Sequence, residues 1–298
     1  MFETPLLIDQ HIHGGFGIDF NTAKVDEIIN FADKALARGI GGFFPTLVTD
    51  TIENIQRQIK VIKKAAQDCD SILGIHLEGI FINPEKCGIH NPEWLLPLTV
   101  DNYKKIEDDF IKIVTLAPEL DEGLIEYLKS KNIKIQAGHC VGGKLENMNG
   151  VTHTFNAMSG ITHRGESTAL SALVYDDIYA EIIADGIHVS DDAFILFIKS
   201  KPLENVLLVS DALPITGSAV SKSVFAGSRI LYDGKVAVSP EGVIAGSTTM
   251  LDSVVKRLNQ MGLFHPMFIE NPYVYHGIKP RGKILWNENW DIIEIKAL

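Results

Sequence analysis

The sequence predicts an α/β fold, a closed (β/α)8 TIM-type barrel carrying a reduced small β domain, and three observations predict it. Eight short apolar runs of β-like composition alternate with amphipathic stretches of helical period between residues 6 and 210. Each of these runs is followed by polar residues, many of them histidine, aspartate or glutamate. The chain has 298 residues, 46% of them hydrophobic, which suits a single barrel with a large core. A doubly wound open sheet shows a similar alternation, so the count of eight is what favours closure.

The expected strands are, in order, 6–9, 42–47, 72–77, 111–116, 133–137, 151–155, 179–184 and 206–210. Helices are expected over 25–37, 51–67, 121–131 and 191–199. The first sets Ile28, Ile29, Ala32, Ala35 and Leu36 on one side, as a crossover helix packed on a sheet requires. After Thr216 the rhythm changes. Residues 217–246 are rich in Gly, Ser and Val, with short alternating runs at 228–231 and 235–238 that read as hairpins. A helix is expected to resume over 245–262, and 282–295 reads as a terminal pair of short strands. The expected organisation is a barrel over 6–216 and 247–282, with a reduced β subdomain over 217–246 and 283–297.

Lys and Arg number 27 against 38 Asp and Glu, a formal net charge of −11, and no basic run is long enough to follow a phosphate backbone, so nucleic acid is not an expected partner. The N-terminus lacks a basic segment followed by an apolar core, and no apolar stretch approaches the ~18 residues of a membrane span, so no membrane partner is expected and the location is read as cytoplasmic. Cys69, Cys87 and Cys140 are odd in number and scattered, as reduced thiols would be.

In a barrel, chemistry gathers at the C-terminal ends of the strands. Strand one ends in His11 and His13, strand two in Pro45 and Thr46, strand three in His76 and Glu78, strand four in Pro118 and Glu119. Strand five ends in His139, strand six in His153 and Asn156, strand seven in Asp185 and His188, and strand eight in Asp211. Taken singly, a histidine after a strand is an ordinary hydrogen-bonded loop residue, and Asp211 is a helix N-cap. Taken together they are the donor set of zinc or iron, and a catalytic site needs about three protein ligands plus an open position. Glu78, His139 and His153 supply those three. Asp211 is the carboxylate expected to take up a proton, since a metal can lower the pKa of a bound water to about 7. His11 and His13 have the same parity in an extended run, so both can face one ion.

Several segments carry a resemblance: 8–20 (IDQHIHGGFGIDF), 44–49 (FPTLVT), 74–92 (GIHLEGIFINPEKCGIHNP), 137–139, 152–158 (THTFNAM), 182–189 (IIADGIHV), 208–212 (LVSDA) and 244–251 (IAGSTTML). In this order and spacing they resemble the amidohydrolase superfamily of metal-dependent hydrolase barrels and, within it, the N-acetylglucosamine-6-phosphate deacetylase family, over about residues 8–285. The resemblance implies hydrolysis of the acetamide of N-acetylglucosamine 6-phosphate to glucosamine 6-phosphate and acetate. The alternatives are another N-acetylated amino sugar phosphate as substrate, or a noncatalytic sugar-phosphate binding homologue.

Carried over by position, the resemblance implies one or two divalent ions per subunit, zinc or iron. Glu78, His139 and His153 hold the principal ion, and His11 and His13 hold a second bridged through Glu78. Asp211 is the general base and later acid, and His188 helps to polarise the acetyl carbonyl. His90, Asn156, Ala157 and Arg164 join His188 in the substrate site, with the arginine contributed by the neighbouring subunit of a homodimer. Residues 114–119 (VTLAPE) contain no lysine, which disfavours a carboxylated-lysine bridge. Only seven residues precede Ile8, where the family builds half of a small β domain. Ile80, Cys140 and the 163–166 stretch depart from the family pattern without removing a proposed ligand.

Overall fold

A computed structural model describes residues 1–296. The eight apolar runs become one parallel sheet of Leu7–Ile12, Ile40–Leu47, Ile75–Glu78, Ile111–Leu116, Lys134–Ala137, Gly150–Val151, Tyr179–Ile182 and Val206–Leu208, each strand paired with the next. The barrel closes beyond the ends of its first and last strands. There Ile12 bridges Ala212, Asp211 N donates to His11 O (2.9 Å), and His13 N donates to Ala212 O (3.0 Å). The seam is therefore stitched at the rim that carries His11, His13 and Asp211. Lower down, helix Met267–His276 wedges it, with Tyr273 Oη donating to Leu6 O (2.6 Å) and Asn271 Nδ2 to Val206 O (2.7 Å). Strand carbonyls that no neighbouring strand reaches are satisfied in this way.

Helix Val25–Leu36 buries Ile28, Phe31, Ala32 and Ala35 as its spacing requires, and Phe31 meets Phe20 and Phe43 edge to face. The helices expected over 51–67, 121–131 and 191–199 are Ile52–Ala65, Leu124–Ser130 and Asp191–Ser200. Two expectations are corrected. Strand six, expected over 151–155, is only Gly150–Val151, because His153 (φ 28°), Phe155 (φ 83°) and Ala157 (φ 48°) turn into left-handed backbone. The helix expected over 245–262 is Leu251–Gln260. Its first part stays extended because Ser247 N donates to Asp211 O (2.8 Å) and Leu213 N donates to Ser247 O (2.9 Å).

The segments outside the barrel form two separate antiparallel sheets. Lys222–Phe225, Ser228–Tyr232 and Ala237–Val238 make one; Phe2–Pro5, Lys283–Trp286 and Ile292–Lys296 make the other. Residue 297 of the expected second segment lies outside the described residues. No helix among the described residues is long and apolar enough to cross a membrane.

Candidate active site

Glu78, the last residue of the third barrel strand, is the hub of a buried cluster at the barrel mouth. Its Oε1 lies 2.9 Å from His153 Nε2 and 3.3 Å from His139 Nε2. Its Oε2 lies 3.2 Å from His11 Nε2 and 3.1 Å from His13 Nε2. Asp211 Oδ1 closes the ring at 2.9 Å from His13 Nε2 and 3.3 Å from His11 Nε2. His139, His153 and Asp211 all have positive φ (48°, 28° and 51°), a sparsely populated region for such residues. That strain ends each extended segment at the rim, where their side chains converge.

The far nitrogen of three rings fixes the tautomer. Nδ1 of His13 faces Thr46 O (3.2 Å), Nδ1 of His139 faces Lys86 O (2.8 Å), and Nδ1 of His11 faces Glu181 Oε2 (3.0 Å). These oxygens accept, so each Nδ1 carries a proton, and it is Nε2 of each ring that faces Glu78, free to offer a lone pair once it carries no proton. His139 Nε2 and His153 Nε2 stand only 3.1 Å apart, and His11 Nε2 has no hydrogen-bond partner. Lone pairs and two carboxylates crowded into a dry space repel one another unless positive charge is shared among them. Protons are one source: burial disfavours charge on His13, yet Asp211 and Glu78 outweigh it and lift the imidazole to about 9. For Asp211, burial likewise opposes charge, but His11 and His13 hold its carboxyl down at about 2. A divalent cation supplies the same charge with all lone pairs turned inward. His11, His13, Glu78 and Asp211 form one group whose donor atoms lie within 4.8 Å of one another, and Glu78, His90 and His139 form another. This donor set fits zinc or iron rather than magnesium or calcium.

The cluster forms the floor of a cavity of 380 Å³, whose walls include Asn156, Ala157, His188 and Phe225. The antiparallel hairpin beside the barrel delivers Phe225, whose ring meets that of His13 edge to face at 5.1 Å. Asn156 Nδ2 donates to His153 O (3.3 Å).

His90 and His188 differ in protonation as well as position. His90 is buried in the cluster, its Nε2 3.9 Å from Glu78 Oε2. Its Nδ1 accepts from the Thr49 backbone N–H (3.4 Å) and lies 2.8 Å from Thr49 Oγ1, which accepts from Ile80 N (2.8 Å). The proton of His90 therefore sits on Nε2, facing the cluster, and burial, helped by His139, pushes its pKa down to about 3. Gly79 makes this possible: at φ 113° a Cβ there would stand 2.8 Å from His90 Nδ1. His188 instead has an acceptor at both nitrogens, Asp185 Oδ2 at 2.8 Å from Nδ1 and Ala245 O at 2.7 Å from Nε2. Burial works against its charge, but Asp185 prevails and raises its pKa. Arg164 is exposed in the loop after Ala157, apart from the residues that line the cavity.

Sequence reasoning named Thr46 at the end of strand two without a role and passed over Glu181, Thr49 and Lys86; the four orient the rings. Glu181 alone left a signal, a carboxylate inside the apolar run 179–184 (YAEIIA).

No family model matches the chain. Against curated proteins, it is 31% identical over 274 residues to the N-acetylglucosamine-6-phosphate deacetylase of Bacillus subtilis (strain 168), covering 86% of this chain and 69% of that one. The chain belongs to the N-acetylglucosamine-6-phosphate deacetylase family. It is also 28% identical over 275 residues to the N-acetylgalactosamine-6-phosphate deacetylase of Escherichia coli O157:H7, covering 86% of this chain and 72% of that one. In architecture it is similar to the crystal structure of N-acetylglucosamine-6-phosphate deacetylase from Thermotoga maritima, with a TM-score of 0.91 at 23% identity over 99% of this chain and 87% of that one. The family is one of amide-bond hydrolases within the amidohydrolase superfamily, which bears out the resemblance carried by the motifs.

Proposed function

We propose that this chain hydrolyses the acetamide of N-acetylglucosamine 6-phosphate, giving glucosamine 6-phosphate and acetate. The observation that carries this reading is the convergence of four imidazole nitrogens and Asp211 on Glu78 at the mouth of a barrel of this family. Glu78, His139 and His153 would hold a principal divalent ion, zinc or iron, and His11 and His13 a second one that shares Glu78. When bound, the metal supplies Lewis acidity, polarising the amide carbonyl and acidifying a water.

The remaining work falls to the chain. Asp211 is ionised and borders the cavity, so it takes the water's proton and returns it to the leaving nitrogen. The amine then departs as a neutral or protonated group rather than as an anion.

The tautomers support exchanging two of the expected roles. His90, neutral with its Nε2 proton turned towards the cluster, suits the donor that stabilises negative charge on the acetyl oxygen. His188, whose two nitrogens both face acceptors and whose charged form Asp185 favours, suits the phosphate, for which it would release Ala245 O. Two kinetic results follow. His90→Ala lowers kcat by about 10²- to 10³-fold with KM little changed. His188→Ala raises KM for the 6-phosphate by roughly 10- to 100-fold and does far less to hydrolysis of unphosphorylated N-acetylglucosamine. Steady-state rates on both sugars decide the matter, and equal losses of His188→Ala on the two would remove it from the phosphate site.

Asn156 and Ala157 line the cavity, which supports assigning them to the sugar. Arg164 lies outside it, which supports a homodimer in which a second copy supplies the arginine to the phosphate; the solution mass tests this. Three free cysteines without a disulfide support a cytosolic location.

The function is tested by reconstituting the purified protein with zinc or ferrous iron and measuring acetate release. The substrates are the 6-phosphates of N-acetylglucosamine, N-acetylgalactosamine and N-acetylmannosamine. Release of acetate from the gluco epimer is expected, a preference for the galacto epimer would reassign the sugar, and release from none would end the deacetylase reading.

A further inference from the structure

Glu181 is fully buried in the barrel lumen on the seventh barrel strand, Tyr179–Ile182, beneath the cluster and not part of it. Its Oε1 accepts from Gln10 Nε2 (2.6 Å), and its Oε2 accepts from His11 Nδ1 (3.0 Å) and from the backbone N–H of His153 (3.2 Å). Gln10 is itself fixed, because its Oε1 accepts from His276 Nε2 (2.8 Å). An ionised carboxylate in a dry lumen carries a desolvation cost that an apolar residue of similar size would not. Its three donors offset that cost, and two of them belong to residues of the cluster.

The orientation carries the argument. His11 is the one ring of the cluster whose Nδ1 meets a carboxylate; those of His13 and His139 meet backbone carbonyls, and that of His153 has no partner. On the opposite side, His11 Nε2 lies 3.2 Å from Glu78 Oε2 and 3.3 Å from Asp211 Oδ1. A carboxylate behind an imidazole fixes its tautomer and makes the far nitrogen a stronger donor. The third group of metal-type residues, His11, His76 and Glu181, is hydrogen-bonded scaffold by comparison, since the nitrogens of His76 face Gln10 O (2.9 Å) and Thr115 Oγ1 (2.7 Å).

We propose that Glu181 is a positioning residue for the ion held by His11 and His13, keeping the His11 proton on Nδ1 and its Nε2 lone pair aimed between Glu78 and Asp211. The proposal rests on the reading that a divalent ion binds there, and its test separates the two. Metal-free wild type and Glu181→Gln are titrated with Zn²⁺ against a chromophoric chelator, alone and in a His11→Ala background. Glu181→Gln is expected to weaken one binding step by about 10- to 100-fold, leave the other unchanged, and add no further loss once His11 is gone. Unchanged affinity at every step overturns the proposal while the metal-dependent reading stands. A loss of the same size in the His11→Ala background also overturns it, because Glu181 would then act on the fold rather than through His11. Wild type that takes up no Zn²⁺ removes both. Should Glu181→Gln fail to fold, ¹⁵N-histidine spectra of the wild type answer instead: the expected His11 signal has its proton on Nδ1, and a proton on Nε2 refutes the proposal.

Discussion

Glu78→Ala is expected to lose bound metal and activity together. The carboxylate is the one group that touches both pairs of rings, His139 and His153 through Oε1 and His11 and His13 through Oε2. Removing it leaves the four imidazoles with Asp211 as the remaining carboxylate among them, and the negative charge that balances a divalent ion falls by one. Lewis-acid stabilisation of a hydrolytic transition state is worth several kcal/mol, so acetate release should fall by about 10³-fold or more. Elemental analysis after gel filtration and an acetate assay check both halves of the result. The paired change His11→Ala, His13→Ala is the contrasting case: it should cost at most one ion, because Glu78, His139 and His153 remain within 3.3 Å of one another. Retention of full metal content by Glu78→Ala would mean that the ion lies elsewhere.

The barrel was legible because its strands are written in apolar runs that tertiary contacts have no reason to overrule. Residues 111–116 were expected as a strand and form one with the same ends. Legibility failed where the backbone serves the site. Residues 151–155 (VTHTF) have the β-branched and aromatic composition of a strand, yet His153 and Phe155, with Ala157 just beyond, turn left-handed to carry a ring of the cluster and part of the cavity wall. Residues 245–250 read as the start of a helix, but Ser247 is captured by the seam at Asp211 and Leu213. Both failures follow from one cause: pairing partners distant in sequence outweigh local preference.

The candidate site divides in the same way. Which histidines and carboxylates converge was readable from the strand ends, since parallel strands in a barrel present their C-terminal ends at one mouth. Which nitrogen of each ring faces that mouth was not, because the deciding acceptors include the backbone carbonyls of Thr46 and Lys86, which carry no mark in the sequence. That difference supports the exchange of roles between His90 and His188. Their motifs predict a place at the substrate, whereas their surroundings distinguish a ring that burial keeps neutral from one whose charge Asp185 favours.

Asp211→Asn is the change that separates an enzyme from a binding protein of the same fold. Asp211 sits at φ 51°, a conformation that asparagine adopts as readily as aspartate, so the seam from Asp211 N to His11 O and from Ser247 N to Asp211 O should persist. Alanine at this position would add backbone strain and confuse a structural loss with a chemical one. The amide keeps the shape of the carboxylate but cannot take up a proton. Turnover should therefore fall by about 10²- to 10⁴-fold, the usual contribution of a positioned general base, while binding of the sugar phosphate changes only a few-fold. Glu78, His139 and His153 are untouched, so the principal ion should stay, and metal content measured on the same sample guards against a trivial loss. Stopped-flow acetate release paired with calorimetric binding of the 6-phosphate reads both quantities. If turnover survives in Asp211→Asn, Asp211 is not the base and the proton must leave the water by another group.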